Sequence, residues 1–256
     1  IKEDEGTELL EDKVKEAVAA AVMSLAESVD LEEQGCYVSP SITSEDEALK
    51  TACETMNKYV GARITYQFGD KSETLIGDEI HNWLTVNGTS VRINEGKATE
   101  YVKKLAASYD TAYKAKSLKT SYGKTVSITG GSYGYKINQA KEAATLVSLI
   151  KNGEQTSREP EYSQKGASRT GNDYGNTYVE INLTAQHLYF YVKGKLVTQS
   201  DFVSGNAAKG WSTPAGAYSI TYKQRNATLK GQGYATPVSY WMPFNGGVGI
   251  HDAKWR

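Results

Sequence analysis

The residues best able to do chemistry crowd the last twenty positions, Pro237 to Arg256. An aromatic and apolar run (Tyr240, Trp241, Met242, Phe244) meets a glycine-rich turn (Gly246, Gly247, Gly249). The turn delivers His251, with Asp252 beside it and Trp255 just after. Imidazole exchanges protons near neutral pH, glycine lets backbone approach a ligand closely, and aromatic rings wall a pocket. The chemistry this pattern admits is proton transfer or activation of a nucleophile. The sequence ends four residues past Asp252, so a site built here is expected to continue beyond it. The plain alternative is a buried strand and hairpin that happens to carry a histidine.

Other reactive groups are sparse. The two cysteines, Cys36 and Cys53, make neither a disulfide framework nor a zinc spacing. Cys53 shares a helical face with Leu49, Ala52, Met56 and Val60 and is expected to be buried, which raises a thiol pKa and hides the sulfur. Cys36 lies in a Gly-Cys-Tyr loop or strand without a nearby histidine. His81 reads as a surface or packing residue, and His187, in a strand beside Gln186, as a surface one. The three histidines fall on separate elements with no paired carboxylate or thiolate, so no metal site is indicated.

The elements that must position these groups suit two domains in 256 residues. A net charge of −1 and 23% charged residues describe an ordinary globular chain and give no basic excess for nucleic acid. Eighteen tyrosines against four phenylalanines suit half-exposed sheets. The longest apolar run, Ala17 to Met23, is too short to span a membrane. Residues 1–160 read as an α+β module. Leu10, Val14, Ala17, Ala21 and Leu25 mark a helix over about 7–28, and Ser44 with Glu47 caps the next. Arg63–Phe68 and Glu73–Ile76 form a hairpin, and Asp78–Leu84 a short helix. Ala98, Tyr101, Val102, Leu105, Ala106 and Tyr109 fit another helix. Thr125–Ile128 is a strand, and Asn138 caps a last helix closed by Gly153. Polar residues and Pro160 make 152–176 an exposed linker, its centre at 161–170.

Residues 171–256 read as all-β. Val179, Ile181 and Leu183 alternate inward against Tyr178, Glu180 and Asn182. Strands follow at Gln186–Val192, Leu196–Val203 and Ala217–Lys223, with a tight turn at Thr213-Pro214-Ala215-Gly216. Fewer than ninety residues leave this sheet short of strands, a domain truncated at its carboxyl end.

Gln186-His-Leu-Tyr-Phe-Tyr-Val-Lys-Gly194, Ser204-Gly205, Thr213-Pro-Ala-Gly216, Tyr240-Trp-Met-Pro-Phe244 and Gly249-Ile-His-Asp252 resemble, in that order, the L,D-transpeptidase catalytic domain of the YkuD fold. Tyr101–Ala106, Tyr109–Thr111, Gly130–Ile137 and Arg158–Tyr162 resemble the peptidoglycan-binding module that precedes it in Gram-positive members. The resemblance implies a β-sandwich whose cysteine thiolate attacks a peptidoglycan stem tetrapeptide at its third residue. The terminal D-alanine leaves, and an amine of a second stem takes the acyl group, giving a 3→3 cross-link.

In the family a histidine precedes a Ser/Thr-His-Gly-Cys motif, and His251 matches that first histidine. The cysteine and its adjacent histidine are absent from these 256 residues, so this chain alone is expected to be inactive. Tyr240, Trp241, Gly249, Asp252 and Trp255 are the candidate substrate-contacting residues, with Met242 and Phe244 read as core. The resemblance further implies no cofactor, peptidoglycan stem peptides as partners, and carbapenem β-lactams as inhibitors. It also implies an extracellular place at the cell wall, with a membrane anchor upstream of residue 1. Hydrolysis of the same stems, or a non-catalytic binding protein with a degenerate domain, are the alternatives.

Overall fold

The structure, a computed structural model, describes residues 6–40, 43–231 and 233–254. Its first part runs α1 (Glu11–Ser24), α2 (Glu47–Val60), β1 (Arg63–Phe68), β2 (Lys71–Leu75), α3 (Gly77–His81), β3 (Leu84–Asn87), β4 (Ser90–Ile93), α4 (Glu95–Tyr109), β5 (Lys116–Lys119), β6 (Thr125–Ile128), β7 (Lys136–Ile137), α5 (Gln139–Asn152), β8 (Gln155–Arg158) and β9 (Tyr162–Gln164). Only strands follow, apart from one turn of 3₁₀ helix at Ala207–Lys209. They are β10 (Tyr178–Asn182), β11 (His187–Val192), β12 (Lys195–Asp201), β13 (Gln224–Gly231), β14 (Tyr234–Asn245) and β15 (Val248–His251). The architecture is an α+β module followed by a β-rich domain.

Two compact units make up the chain. The first holds Ile1–Arg63, Ile76–Asn94 and Leu149–Gln155. In it Asp46, not Ser44, caps α2, its carboxylate accepting from the Ala48 and Leu49 N–H groups at 2.9 and 3.0 Å. Cys53 is exposed, contrary to the burial expected of it, and Cys36 is buried. On α2 the inward face centres between Ala52 and Met56, and at about 100° per residue Cys53 rotates to its edge. The hairpin of β3 and β4, turning at Asn87–Ser90, was not anticipated.

The second unit holds Ile64–Leu75, Glu95–Ser148 and Thr156–Arg256. α4 buries Ala98, Tyr101, Val102, Leu105 and Ala106, the face its spacing predicts. Each large apolar side chain so buried stabilises by about 1.5–3 kcal/mol. On α5, Glu142 is fully buried, and its carboxylate is satisfied three ways. Tyr66 OH donates at 2.6 Å, the Arg158 guanidinium at 2.5 Å and the Glu161 N–H at 2.5 Å. Burial and this carboxylate hold the Tyr66 phenol well above its ordinary range.

Residues 152–176 are not the open linker expected from composition. They carry β8 and β9, and Pro160 is buried. Arg169 lies over the rings of Tyr135 and Tyr162 at 3.9 and 4.9 Å and donates to the Tyr109 carbonyl at 2.7 Å. Asp173 meets Lys116 at 2.6 Å with both side chains buried. A few charged anchors order a segment whose composition is that of a loop.

The strand-only region forms two three-stranded antiparallel sheets, β10–β11–β12 and β13–β14–β15. Two expectations change here. In β10 the buried residue is Glu180, while Val179 and Ile181 are half-buried. The carboxylate turns inward because the Ser121 N–H donates to it at 3.0 Å and the Ser121 hydroxyl at 2.7 Å. Residues 217–223 make no strand. Ala217 forms one bridge with Gly131, and the Thr221 N–H donates to the Pro243 carbonyl at 2.8 Å.

Candidate functional site

The second sheet is built on β14, the central strand, which pairs β13 on one side and β15 on the other. Val238 and Trp241 of β14 are both buried and join Ala227 of β13 in a small apolar core, although their odd spacing departs from strict alternation. Trp241 is 8% exposed, and its indole N–H donates to the Tyr222 hydroxyl at 3.3 Å. It is therefore a core side chain whose ring edge reaches the site, not an open wall. Tyr240, one residue earlier, faces solvent at 53% exposure. Pro243 is buried and has no N–H to donate, and the ladder breaks its register between Pro243 and Asn245.

Across the ladder β15 places His251 opposite Trp241 and Gly249 opposite Pro243. A Cβ on Gly249 would lie 2.7 Å from the Met242 carbonyl oxygen, the Pro243 Cα and the Trp241 ring, so this position tolerates glycine alone. The imidazole of His251 is exposed, its ring centroid 6.0 Å from that of Trp241. Nδ1 lies 2.8 Å from the Asp252 carbonyl oxygen. A carbonyl only accepts, so Nδ1 carries the hydrogen, and in the neutral ring the lone pair falls on Nε2. A neutral imidazole held this way offers one basic nitrogen, which is what a general base supplies.

Asp252 fixes the segment. Its Oδ1 accepts from the Tyr240 N–H at 2.8 Å, and this bond to the charged form holds its carboxyl below the usual range. Among the sequence-predicted residues, the structure thus brings together Tyr240, Trp241, Gly249, His251 and Asp252. Trp255 lies outside the described residues. Met242 and Phe244 are half-buried, and Phe244 packs against Tyr218 with ring centroids 5.4 Å apart.

Sequence reasoning passed over two neighbours. Arg225 pairs with Tyr240 across β13–β14 and holds its guanidinium 5.8 Å from that ring. Tyr222 anchors the indole. Tyr222 lies in the 217–223 stretch read as a strand, and Arg225 lies just past it in β13, where only the β13–β14 register reveals it. An exposed guanidinium on this rim is suited to a carboxylate. Elsewhere, His187 is an outlying surface histidine held by Asp201 at 2.6 Å, and His81 is exposed. Among the described residues no three His, Cys, Asp or Glu side chains are grouped to hold a metal ion.

Two family models match: "Putative peptidoglycan binding domain" over residues 42–158 and "L,D-transpeptidase catalytic domain" over residues 176–256. Among solved structures, the Enterococcus faecium L,D-transpeptidase, in a form with one cysteine replaced by serine, is 31% identical, with a TM-score of 0.63. The match covers 80% of this chain and 83% of that one. The chain belongs to the L,D-transpeptidase family. The avibactam carbamoyl enzyme of Ldtfm matches equally well, at 31% identity and a TM-score of 0.65, over 81% of this chain and 83% of that one. No curated protein sequence matches this L,D-transpeptidase chain. Within the family, the β13–β15 sheet with His251 belongs to the catalytic domain, and α2 through β8 to the peptidoglycan-binding module.

Proposed function

We propose that this chain supplies the acid–base half of a cysteine-dependent peptidoglycan transpeptidase that makes 3→3 cross-links. The observation that carries the reading is the exposed His251, presented at the end of β15 with its lone pair on Nε2. The nucleophile is assigned to a cysteine carboxyl-terminal to residue 256, since both cysteines in the sequence precede the catalytic domain. A free thiol of pKa about 8.5 is a few per cent thiolate at neutral pH, so it needs a base beside it.

The thiolate attacks the carbonyl of the third stem residue. The C–N bond to D-alanine breaks, and its nitrogen takes the proton the imidazole accepted from the thiol. The side-chain amine of a second stem then attacks the thioester, loses a proton to the imidazole, and expels the thiolate. Proton transfer of this kind contributes about 10²–10⁴-fold. Arg225 and Tyr240 are the groups assigned to a stem carboxylate and to the face of the peptide. The peptidoglycan-binding module places this activity at the cell wall. No helix among the described residues is long and apolar enough to cross a bilayer.

The test uses the natural full-length protein. Incubation with a carbapenem or with avibactam, read by intact mass, is expected to give a covalent adduct, and defined muropeptides are expected to give a 3→3 dimer with release of D-alanine. His251→Ala is expected to slow acylation by at least about 100-fold while leaving the fold intact. A gene with no Ser-His-Gly-Cys segment beyond Arg256, or a full-length protein without adduct or dimer, favours a binding protein instead. Monomeric product with water as acceptor marks a hydrolase.

A further inference from the structure

Two glycine turns from opposite halves of the sequence, at residues 130–131 and 213–216, meet backbone to backbone within the second unit. Gly131 bridges Ala217. The Ala217 N–H donates to the Gly130 carbonyl at 3.2 Å, and the Tyr133 N–H donates to the Ala217 carbonyl at 3.0 Å. The approach leaves no room for a side chain on either turn. A Cβ on Gly131 would lie 2.5 Å from the Ala217 nitrogen, and one on Gly216 would lie 2.6 Å from the Gly131 nitrogen. Both glycines also hold left-handed backbone, with φ 84° and 149°, which other residues resist. The junction is built for glycine on both faces. Ser121 of the module bonds Glu180 of β10 and Tyr191 of β11, in the first sheet of the strand-only region. The glycine junction leads instead to the second sheet, the one that carries His251.

From Ala217 the chain leads to the floor of the site. Tyr218 packs on Phe244 with ring centroids 5.4 Å apart. The Thr221 N–H donates to the Pro243 carbonyl at 2.8 Å, and the Tyr222 hydroxyl accepts from the Trp241 indole at 3.3 Å. Only Tyr218, Ser219 and Ile220 separate Ala217 from Thr221. Four peptide steps reach at most about 14 Å, too short a spacer to loop out and absorb a displacement. The point it holds is one that its own hairpin holds loosely. Pro243 stands opposite Gly249 but offers β15 no N–H, and the β14–β15 register slips between Pro243 and Asn245. The bond from Thr221 fixes Pro243 from the other side. Two residues earlier on β14, Trp241 stands opposite His251, so a shift of β14 at this point is a shift of the imidazole's support.

We propose that residues 217–222 are a strap through which the peptidoglycan-binding module positions His251, with Gly131 and Gly216 as positioning residues for the acyl transfer. Each lets two backbones close on one another, and that contact sets where the strap meets Pro243 and Trp241. Gly131 lies in the segment matched to the binding module, and Gly216 in the segment matched to the catalytic domain. The imidazole is thus held by its own hairpin and, through the strap, by the other domain. The consequence for acyl transfer rests on the transpeptidase reading, whereas the strap's hold on the ring does not.

The test alters the junction and the strap separately and reads the ring. Gly131→Ala forces the junction apart. Two glycines inserted between the exposed Ser219 and Ile220 slacken the strap and leave both anchors intact. Gly123→Ala is the control for backbone strain, since Gly123 has φ 85° but nothing near a Cβ. In the 256-residue chain, nitrogen-15 spectra of the His251 ring and the Trp241 indole are expected to change with the first two variants and not with the control. The share of His251 carrying its hydrogen on Nδ1 is expected to fall. In the natural full-length protein, the same two variants are expected to slow carbapenem acylation by about 10- to 100-fold, the scale of a small misplacement. Combined, they are expected to do no more than either alone, because a slack strap transmits nothing from the junction. Ring signals unmoved by the insertion overturn the proposal, and this arm decides even where Gly131→Ala fails to fold. Fully additive effects overturn it too, since they mark two separate causes. An unaltered full-length protein that takes no adduct counts against the transpeptidase reading, and the ring signals alone then decide the strap.

Discussion

His251 stands opposite Trp241 in the β14–β15 ladder, the two rings 6.0 Å apart at an interplanar angle of 48°. The indole thus fills the sheet's apolar core and supports the imidazole from below. Trp241→Ala removes a buried aromatic and leaves a cavity, a change that costs about 3–5 kcal/mol. The thermal midpoint of the domain is expected to fall sharply, with exchange at β15 amides rising in step. Trp241→Phe keeps most of the volume and loses only the bond to Tyr222, so its midpoint is expected to lie close to that of the unaltered protein. Equal midpoints for the alanine variant and the unaltered protein would show that the indole is not a support.

Gly249 is predicted to be the least replaceable position of the hairpin. A methyl there meets backbone on both sides, the Met242 carbonyl oxygen and the Pro243 Cα, neither of which can swing aside as a side-chain tip does. Gly249→Ala is expected to unpair β15, seen as loss of the Pro243–Gly249 register in exchange or nuclear Overhauser measurements. Gly247→Ala serves as the control, since nothing lies near a Cβ at that position. A native-like midpoint for Gly249→Ala would contradict the prediction.

What the sequence made legible follows from how strongly each segment repeats its period. α4 and α5 carry their apolar residues at helical spacing over four turns, and the structure buries the faces so marked. The β14–β15 hairpin was visible only as the plain alternative reading, an aromatic and apolar run closed by a glycine-rich turn. Cys53 misled because a helix face is decided by its centre, and one residue at the edge turns either way. Glu180 misled because alternation in β10 assigns the polar side outward, whereas a distant serine, Ser121, gives the carboxylate partners inside. Arg169 and Asp173 were invisible for a related reason: their partners, Tyr135 and Lys116, lie far off in sequence. Side chains whose placement depends on one long-range bond leave no periodic trace.

Lys116 and Asp173 form a buried ion pair that a single change would break. Their charged groups lie 2.6 Å apart with side chains 7% and 10% exposed, and the ammonium also donates to the Thr111 carbonyl. Removing one partner strands the other charge away from water, at a cost of about 3–5 kcal/mol. Lys116→Met is therefore expected to destabilise strongly, read by urea denaturation. Lys116→Met with Asp173→Leu should recover much of the loss, because no buried charge remains. A double variant as unstable as the single one would refute this account.

His187 predicts a weak pH dependence that can be assigned to one bond. Its Nδ1 lies 2.6 Å from the Asp201 carboxylate, and that bond, with Gln199 at 3.3 Å beyond Nε2, raises its pKa. The sign follows from the charged form being the one stabilised. The contribution is fully present below the unfolded histidine pKa of about 6.5, and it is lost as pH rises through the higher folded value. An NMR titration of the ring protons is expected to place the folded midpoint above that of an unfolded peptide, and Asp201→Asn is expected to return it toward the ordinary value. Because the ring sits at the surface, salt is expected to shrink the shift. A midpoint unmoved by Asp201→Asn would remove the carboxylate as its cause.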